Sequence, residues 1–127
     1  MKKIVFSEKA LKPVGPYSQA VRAGNLLFIS GTLPIDPATG EIVEGDIEKM
    51  TERILDNIKV VLAEEKLTMH NLVKVTVFMK DMQMFGRVNA VYAKYFEKNP
   101  PARSAVGVAS LPKNAEIEME AIACYED

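Results

Sequence analysis

The sequence predicts an α+β domain: one β-sheet with two helices packed on a single face. Three observations predict it. The chain has 127 residues and carries neither an internal repeat nor a Gly/Ser/Pro-rich linker, so residues 1–127 form one domain large enough for its own core. Two segments repeat apolar residues at helical spacing, and the segments around them read as strands, in the order β-β-β-α-β-α-β-β. Two amphipathic helices can cover only one face of a sheet with that many strands.

Residues 1–31 read as short strands broken by KPVGPYS. NLLFISG is the clearest of them, apolar on both faces. LPIDPATGEIV follows as a turn-rich connection through Pro34, Asp36, Pro37 and Gly40. GDIEKMTERILDNIKVVLAEEKL is the first helix, with Asp46 as N-cap and Ile47, Met50, Ile54, Ile58, Val61 and Leu62 as its apolar stripe. Lys49 stands where a capping box needs Glu or Gln, so no full box forms. LVKVTVFMK is the next strand, with Val73, Val75, Val77 and Met79 on one face and Lys74 and Thr76 on the other. DMQMFGRVNAVYAKYFEK is the second helix, capped by Asp81, buried through Met82, Phe85, Val88, Tyr92 and Phe96, and ended by Pro100 and Pro101. Two strands close the chain, residues 103–109 and 116–125, joined by the turn SLPKNA. The sheet face away from the helices carries Thr76, Glu116, Glu118 and Glu120 among apolar groups. A face of that mixed character predicts a homo-oligomer.

Sixteen basic side chains nearly balance seventeen acidic ones, giving a net charge of −1, and no basic cluster with interleaved aromatics appears. That balance argues against nucleic acid as a main partner. The single cysteine, Cys124, forbids an internal disulfide and fits a reducing compartment. No apolar run approaches membrane-spanning length, and MKKIVFSEKALK holds too short an apolar core for a signal peptide. The expectation is a cytoplasmic protein.

Arg103 is the leading candidate for chemistry. Pro100 and Pro101 stiffen the approach to it, and Ala105, Gly107 and Ala109 share its strand face and leave room above the backbone. An arginine fork grips a planar carboxylate with two parallel hydrogen bonds, so the arrangement predicts a small anionic ligand. The competing reading is a structural ion pair with Glu118 or Glu120 on the next strand. Glu116, Glu118 and Glu120 repeat at period two; the plain reading is a solvated face, which suits Glu116, and the other is that mutual repulsion would raise the pKa of a partly enclosed member. Such a group, near Arg103 across the last hairpin, can position or deprotonate a water. Tyr17, in the turn of VGPYSQAV, is either a hydrophobic plug or a cover for a ligand. Ser30 and Gly31 end a strand, where Ser30 offers a hydroxyl and an N–H and Gly31 admits close backbone approach. Asn89 lies on the second helix beside its buried stripe. His70 reads as a solvated loop residue and Cys124 as inert filler; with one His and one Cys, the ligand set for a metal is poor. No Ser/His/Asp, CxxC, HExxH, P-loop or GxGxxG signature is present, so no metal, covalent or dinucleotide cofactor is predicted.

GPYSQAV, LLFISGTLPIDPATGEIV, DNIKVVL, LVKVTVFMKDM, VNAVYAKYF, PPARSAVGVASLP and EIEMEAIA, in that order and over nearly the whole chain, resemble the Rid/YjgF family, most closely its RidA-type imine deaminases. The resemblance implies a chorismate-mutase-like α+β domain. It implies a homotrimer whose sheets form a central β-barrel, with helices outside and ligand sites between subunits. It places the family's carboxylate-binding arginine on Arg103, its cleft tyrosine on Tyr17, its strand-end serine on Ser30 beside Gly31, its helix asparagine on Asn89 and its water-positioning glutamate on Glu118. The implied activity is cofactor-independent hydrolysis of reactive 2-imino (enamine) acids to 2-oxo acids and ammonia. Many RidA-type members carry cysteine where this chain has Ala105, which argues against an obligatory nucleophile there and leaves the backbone carbonyl to hold imine or water. Two alternatives stand beside it: a non-catalytic small-metabolite-binding or regulatory trimer using the same Arg103 pocket, and a ribonuclease or translation inhibitor, which the lack of a His pair and a basic groove disfavours.

Overall fold

The computed structural model describes residues 1–126. Its strands are β1 (Lys2–Val5), β2 (Ala20–Ala23), β3 (Leu26–Thr32), β4 (Ile35–Asp36), β5 (Glu41–Ile42), β6 (Leu72–Met79), β7 (Ala102–Gly107) and β8 (Ile117–Cys124); its helices are α1 (Ile47–Glu64) and α2 (Phe85–Tyr95). Six strands form one sheet in the order β1-β2-β3-β8-β6-β7, and β4 and β5 make a separate small hairpin inside the predicted turn-rich connection. β6 and β7 are parallel; every other pair is antiparallel. Parallel neighbours cannot be joined by a tight turn, and α2 supplies the crossover. The architecture is the α+β arrangement that the helical and strand periodicities predict.

The core lies between the sheet and the helices. Ile54, Leu55, Ile58 and Leu62 of α1 meet Leu27, Val75, Val77, Ile117 and Met119 of the sheet, all of them fully buried. Asp46 caps α1, its carboxylate accepting the Lys49 N–H at 3.0 Å. The stripe is wider than predicted, because Thr51 and Asn57 are also buried. Thr51 donates its hydroxyl to the Ile47 carbonyl, and the Asn57 amide donates to the Leu33 and Ile35 carbonyls at 3.3 and 2.9 Å. Asn57 therefore ties α1 to the segment that leaves β3.

Four sequence expectations are corrected. Val73 does not join the buried face of β6: the register with β8 shifts between Leu72 and Lys74, which buries Leu72 and leaves Val73 44% exposed. A bulge inserts one residue and reverses the inside–outside order before it. Asp81 caps a short 3-10 turn over Met82–Met84, with α2 starting only at Phe85, so Met82 is exposed instead of part of the buried stripe. The helix ends at Tyr95, well before Pro100; Asn99 turns the chain in a left-handed conformation (φ 48°), and Pro101 leads into β7. Finally, the last two strands are not a hairpin, since β6 lies between them.

The sheet face away from the helices exposes Leu26, Phe28 and Val106, with Phe78 and Ile122 half-buried beside Thr76, Glu118 and Glu120. Among the described residues, no helix is long and apolar enough to cross a membrane.

Asn57→Leu should destabilise the fold by about 1–3 kcal/mol, since it leaves two carbonyls without their side-chain donor. The check is a denaturant titration: the midpoint should fall at unchanged slope.

Candidate functional site

Two clusters of the predicted residues form, and they lie apart. The first surrounds Gly31. The register of β3 against β8 shifts between Ile29 and Thr32, so Ser30 and Gly31 sit in a bulge. The segment carrying Tyr17 is fastened to this bulge. The Ser30 N–H donates to the Gln19 carbonyl at 3.0 Å and the Ser30 hydroxyl donates to the Ser18 carbonyl at 2.6 Å. Both Ser30 donors are thus engaged, contrary to the sequence reading that they are on offer. Buried Gln19 anchors the segment from the other side, accepting the Ser7 N–H and donating to the Ser7 and Leu11 carbonyls. Tyr17 itself is half exposed, next to a cavity of about 360 Å³ whose walls include Leu11, Val14, Ser30, Gly31 and Leu33.

Glu118 reaches this corner from β8. A Cβ on Gly31 would lie 2.5 Å from Glu118 Oε2, so the missing side chain at 31 is what admits the carboxylate. Glu118 is partly enclosed, and burial raises its pKa above the ordinary glutamate value, with the neighbouring Glu120 charge adding to the effect. Glu116 is different: it lies before the start of β8 and its carboxylate pairs with Lys80 at 3.5 Å.

The second cluster is on the edge strand β7. Arg103 donates from Nη1 to Asn89 Oδ1 at 2.7 Å, and its guanidinium carbon lies 5.0 Å from the Phe85 ring centre and 4.8 Å from that of Tyr92. Among the described residues no carboxylate forms an ion pair with it. The structural ion pair with Glu118 or Glu120 is therefore not what holds Arg103. Ala105 packs against the core, and the room expected above Gly107 is taken by Met82, whose Cγ would lie 3.0 Å from a Cβ there.

The sheet separates the two clusters. Arg103 is opposite Val75, a fully buried residue of the helix-covered face, whereas Glu118 is opposite Phe78 on the other face. β7 and β8 are also two strands apart, roughly 10 Å. Within one chain, then, Glu118 meets Gly31, beside which Ser30 fastens the Tyr17 segment, and separately Arg103 meets Asn89, with Ala105 further along the same strand. His70 is exposed in a 3-10 turn, and Cys124 Sγ accepts a hydrogen bond from Asn25. No three His, Cys, Asp or Glu side chains gather into a metal-binding group among the described residues.

The Phe85 and Tyr92 faces against Arg103 are absent from the sequence reading, which assigns both rings to the buried stripe. The signal for them is spacing: 85, 89 and 92 share one helix face, so an asparagine placed beside Arg103 brings two rings with it.

A six-stranded sheet covered by two helices, with an arginine edge on one face and a glutamate corner on the other, defines a small α+β protein. The profile of the Endoribonuclease L-PSP family matches residues 7–125. A RutC family protein of Pyrococcus abyssi is 53% identical over 125 residues, covering 98% of both chains. The chloroplastic Reactive Intermediate Deaminase A of Arabidopsis thaliana is 45% identical over 122 residues, 96% of this chain and 65% of that longer protein. The structure of the Escherichia coli YjgF gene product superposes with a TM-score of 0.92 at 42% identity, covering 98% of this chain and 99% of that one. The chain belongs to the Rid/YjgF family.

Titration of the Glu118 carboxyl by carbon NMR should give a midpoint above the ordinary glutamate value. Glu120→Gln should lower that midpoint without restoring the ordinary value, because burial is the larger cause. An ordinary midpoint in the parent protein contradicts the enclosed-corner description.

Proposed function

We propose that this protein hydrolyses reactive 2-imino (enamine) acids to 2-oxo acids and ammonia, in clefts that each combine two chains of a homotrimer. One observation carries the reading: an arginine without a carboxylate partner and a partly enclosed glutamate lie on opposite faces of one sheet, so each half lacks what the other supplies. The name of the Arabidopsis relative and the family resemblance support the reaction class.

In the proposed cleft, Arg103 of one chain, held by Asn89, grips the substrate carboxylate through its remaining N–H donors. The neighbouring chain brings Glu118, Gly31, Ser30 and Tyr17. A water oxygen bonds to C2 of the protonated imine while Glu118 accepts one of its protons. Glu118 then passes that proton to the amine nitrogen, the C–N bond breaks with its electron pair leaving on ammonia, and the C2 hydroxyl becomes a carbonyl as it gives its proton back to Glu118. A Glu118 pKa raised above the ordinary glutamate value makes the carboxylate a better proton acceptor, which suits a group that must both take and return a proton. Gly31 leaves the carboxylate room, the Ala105 carbonyl faces imine or water, and Tyr17 closes the cleft. Ser30 lines it and keeps the Tyr17 segment in place through its two hydrogen bonds. Every step uses the chain's own groups and water.

The test is turnover with imines released in situ by an amino-acid oxidase. Arg103→Ala should lower kcat/KM at least about thirtyfold, the equivalent of losing a charge-assisted pair of roughly 2–5 kcal/mol. Arg103→Lys should recover only part, because an ammonium lacks the fork. Near-normal turnover in Arg103→Ala contradicts the carboxylate anchor. A parent protein that binds 2-oxo acids but never turns over imines belongs to the regulatory class instead.

A further inference from the structure

Helix α2 presents three side chains to Arg103, and two of them are aromatic. Phe85, Asn89 and Tyr92 stand at positions i, i+4 and i+7, so they form one face of the helix. The guanidinium carbon lies 5.0 Å from one ring centre and 4.8 Å from the other, within cation–π range of both, while Nη1 is fixed by the 2.7 Å bond to Asn89. We propose that the ring faces of Phe85 and Tyr92 are positioning elements that hold the Arg103 guanidinium for a ligand carboxylate.

The chemistry favours rings over an acid at this place. A protein carboxylate would neutralise the guanidinium and compete with the ligand for its fork. Aromatic faces and a neutral amide hold the cation while leaving its charge, and most of its five N–H donors, to the ligand. Tyr92 shows which part of the side chain matters. It is 6% exposed, its ring lies 4.6 Å from that of Phe96, and its hydroxyl has no hydrogen-bond partner. Burial pushes that hydroxyl's pKa up to about 12, so it stays neutral. The ring, not the hydroxyl, is the functional part. Because β7 is an edge strand, no further strand of the described residues covers the outer side of Arg103, and its guanidinium rests against α2.

The inference rests on Arg103 being the carboxylate anchor, and goes beyond it by naming what holds the anchor still. The experiment measures 2-oxobutanoate binding by calorimetry on the intact protein, together with imine turnover, in Phe85→Leu, Tyr92→Leu, Tyr92→Phe and Arg103→Ala. Phe85→Leu and Tyr92→Leu should each weaken binding and raise KM by about threefold to thirtyfold, with kcat within about twofold of the parent. Tyr92→Phe, which keeps the ring, should restore the parent affinity. A general packing defect would instead lower kcat through loss of active protein and leave KM alone. If Tyr92→Leu fails to fold, the half-buried Phe85 position still gives the readout. Parent affinity in the leucine variants, or loss of kcat at unchanged KM, overturns the platform. When Arg103→Ala alone loses binding, the anchor stands and only the platform falls; when Arg103→Ala binds like the parent, the anchor reading itself fails.

Discussion

The parallel pairing of β6 with β7 is the constraint on which the rest of this structure depends. Parallel neighbours need a crossover, and α2 provides it by lying across one face of the sheet. Arg103 comes to rest on that same face, against the helix. β8 then takes the remaining edge of β6 in antiparallel sense and carries Glu118 on the opposite face. Within one chain the cation and the carboxylate lie on opposite faces, two strands apart. The division of the proposed cleft between two chains follows from that separation.

The cluster around Gly31 is built on an absence of atoms. Gly31 has no Cβ, and Glu118 fills the place a side chain would occupy. The bulge at Ser30–Gly31 turns that opening toward the segment of Tyr17, and the buried amide of Gln19 with the two Ser30 hydrogen bonds keeps the segment there. Asn57 does comparable work from α1, tying down the chain just past the bulge. Buried amides with satisfied partners are costly to disturb, which makes them effective at fixing a loop. The site therefore borrows its rigidity from the core instead of from its own charged groups.

Much of this was legible in the sequence where one residue type speaks for itself. The α1 stripe follows from its 3.6-residue period, Asp46 from capping chemistry, and the special character of Arg103 from the prolines before it and the alanine after it. What could not be read depends on partners distant in the chain. Val73 looks inward by alternation, and only the bulge opposite β8 turns it out. The last two strands look like a hairpin because a short turn joins them, yet the strand–helix–strand pattern before them already claimed β7 as a parallel neighbour of β6. Gln19 and Asn57 appear as ordinary polar residues until their carbonyl partners, from other segments, are known. Each candidate residue could be singled out by its type and neighbours, whereas the opposite sheet faces of Arg103 and Glu118 depend on the pairing of β6 with β7 and β8.

That division is the central claim, and subunit mixing tests it most directly. Arg103→Ala and Glu118→Gln proteins, each inactive alone, are dissociated, combined in equal amounts and reassembled. If each cleft takes Arg103 from one chain and Glu118 from its neighbour, random assembly should restore about a quarter of the parent imine-hydrolysing activity. If both residues of a cleft come from the same chain, every cleft remains defective, the mixture stays as inactive as its components, and the account is contradicted.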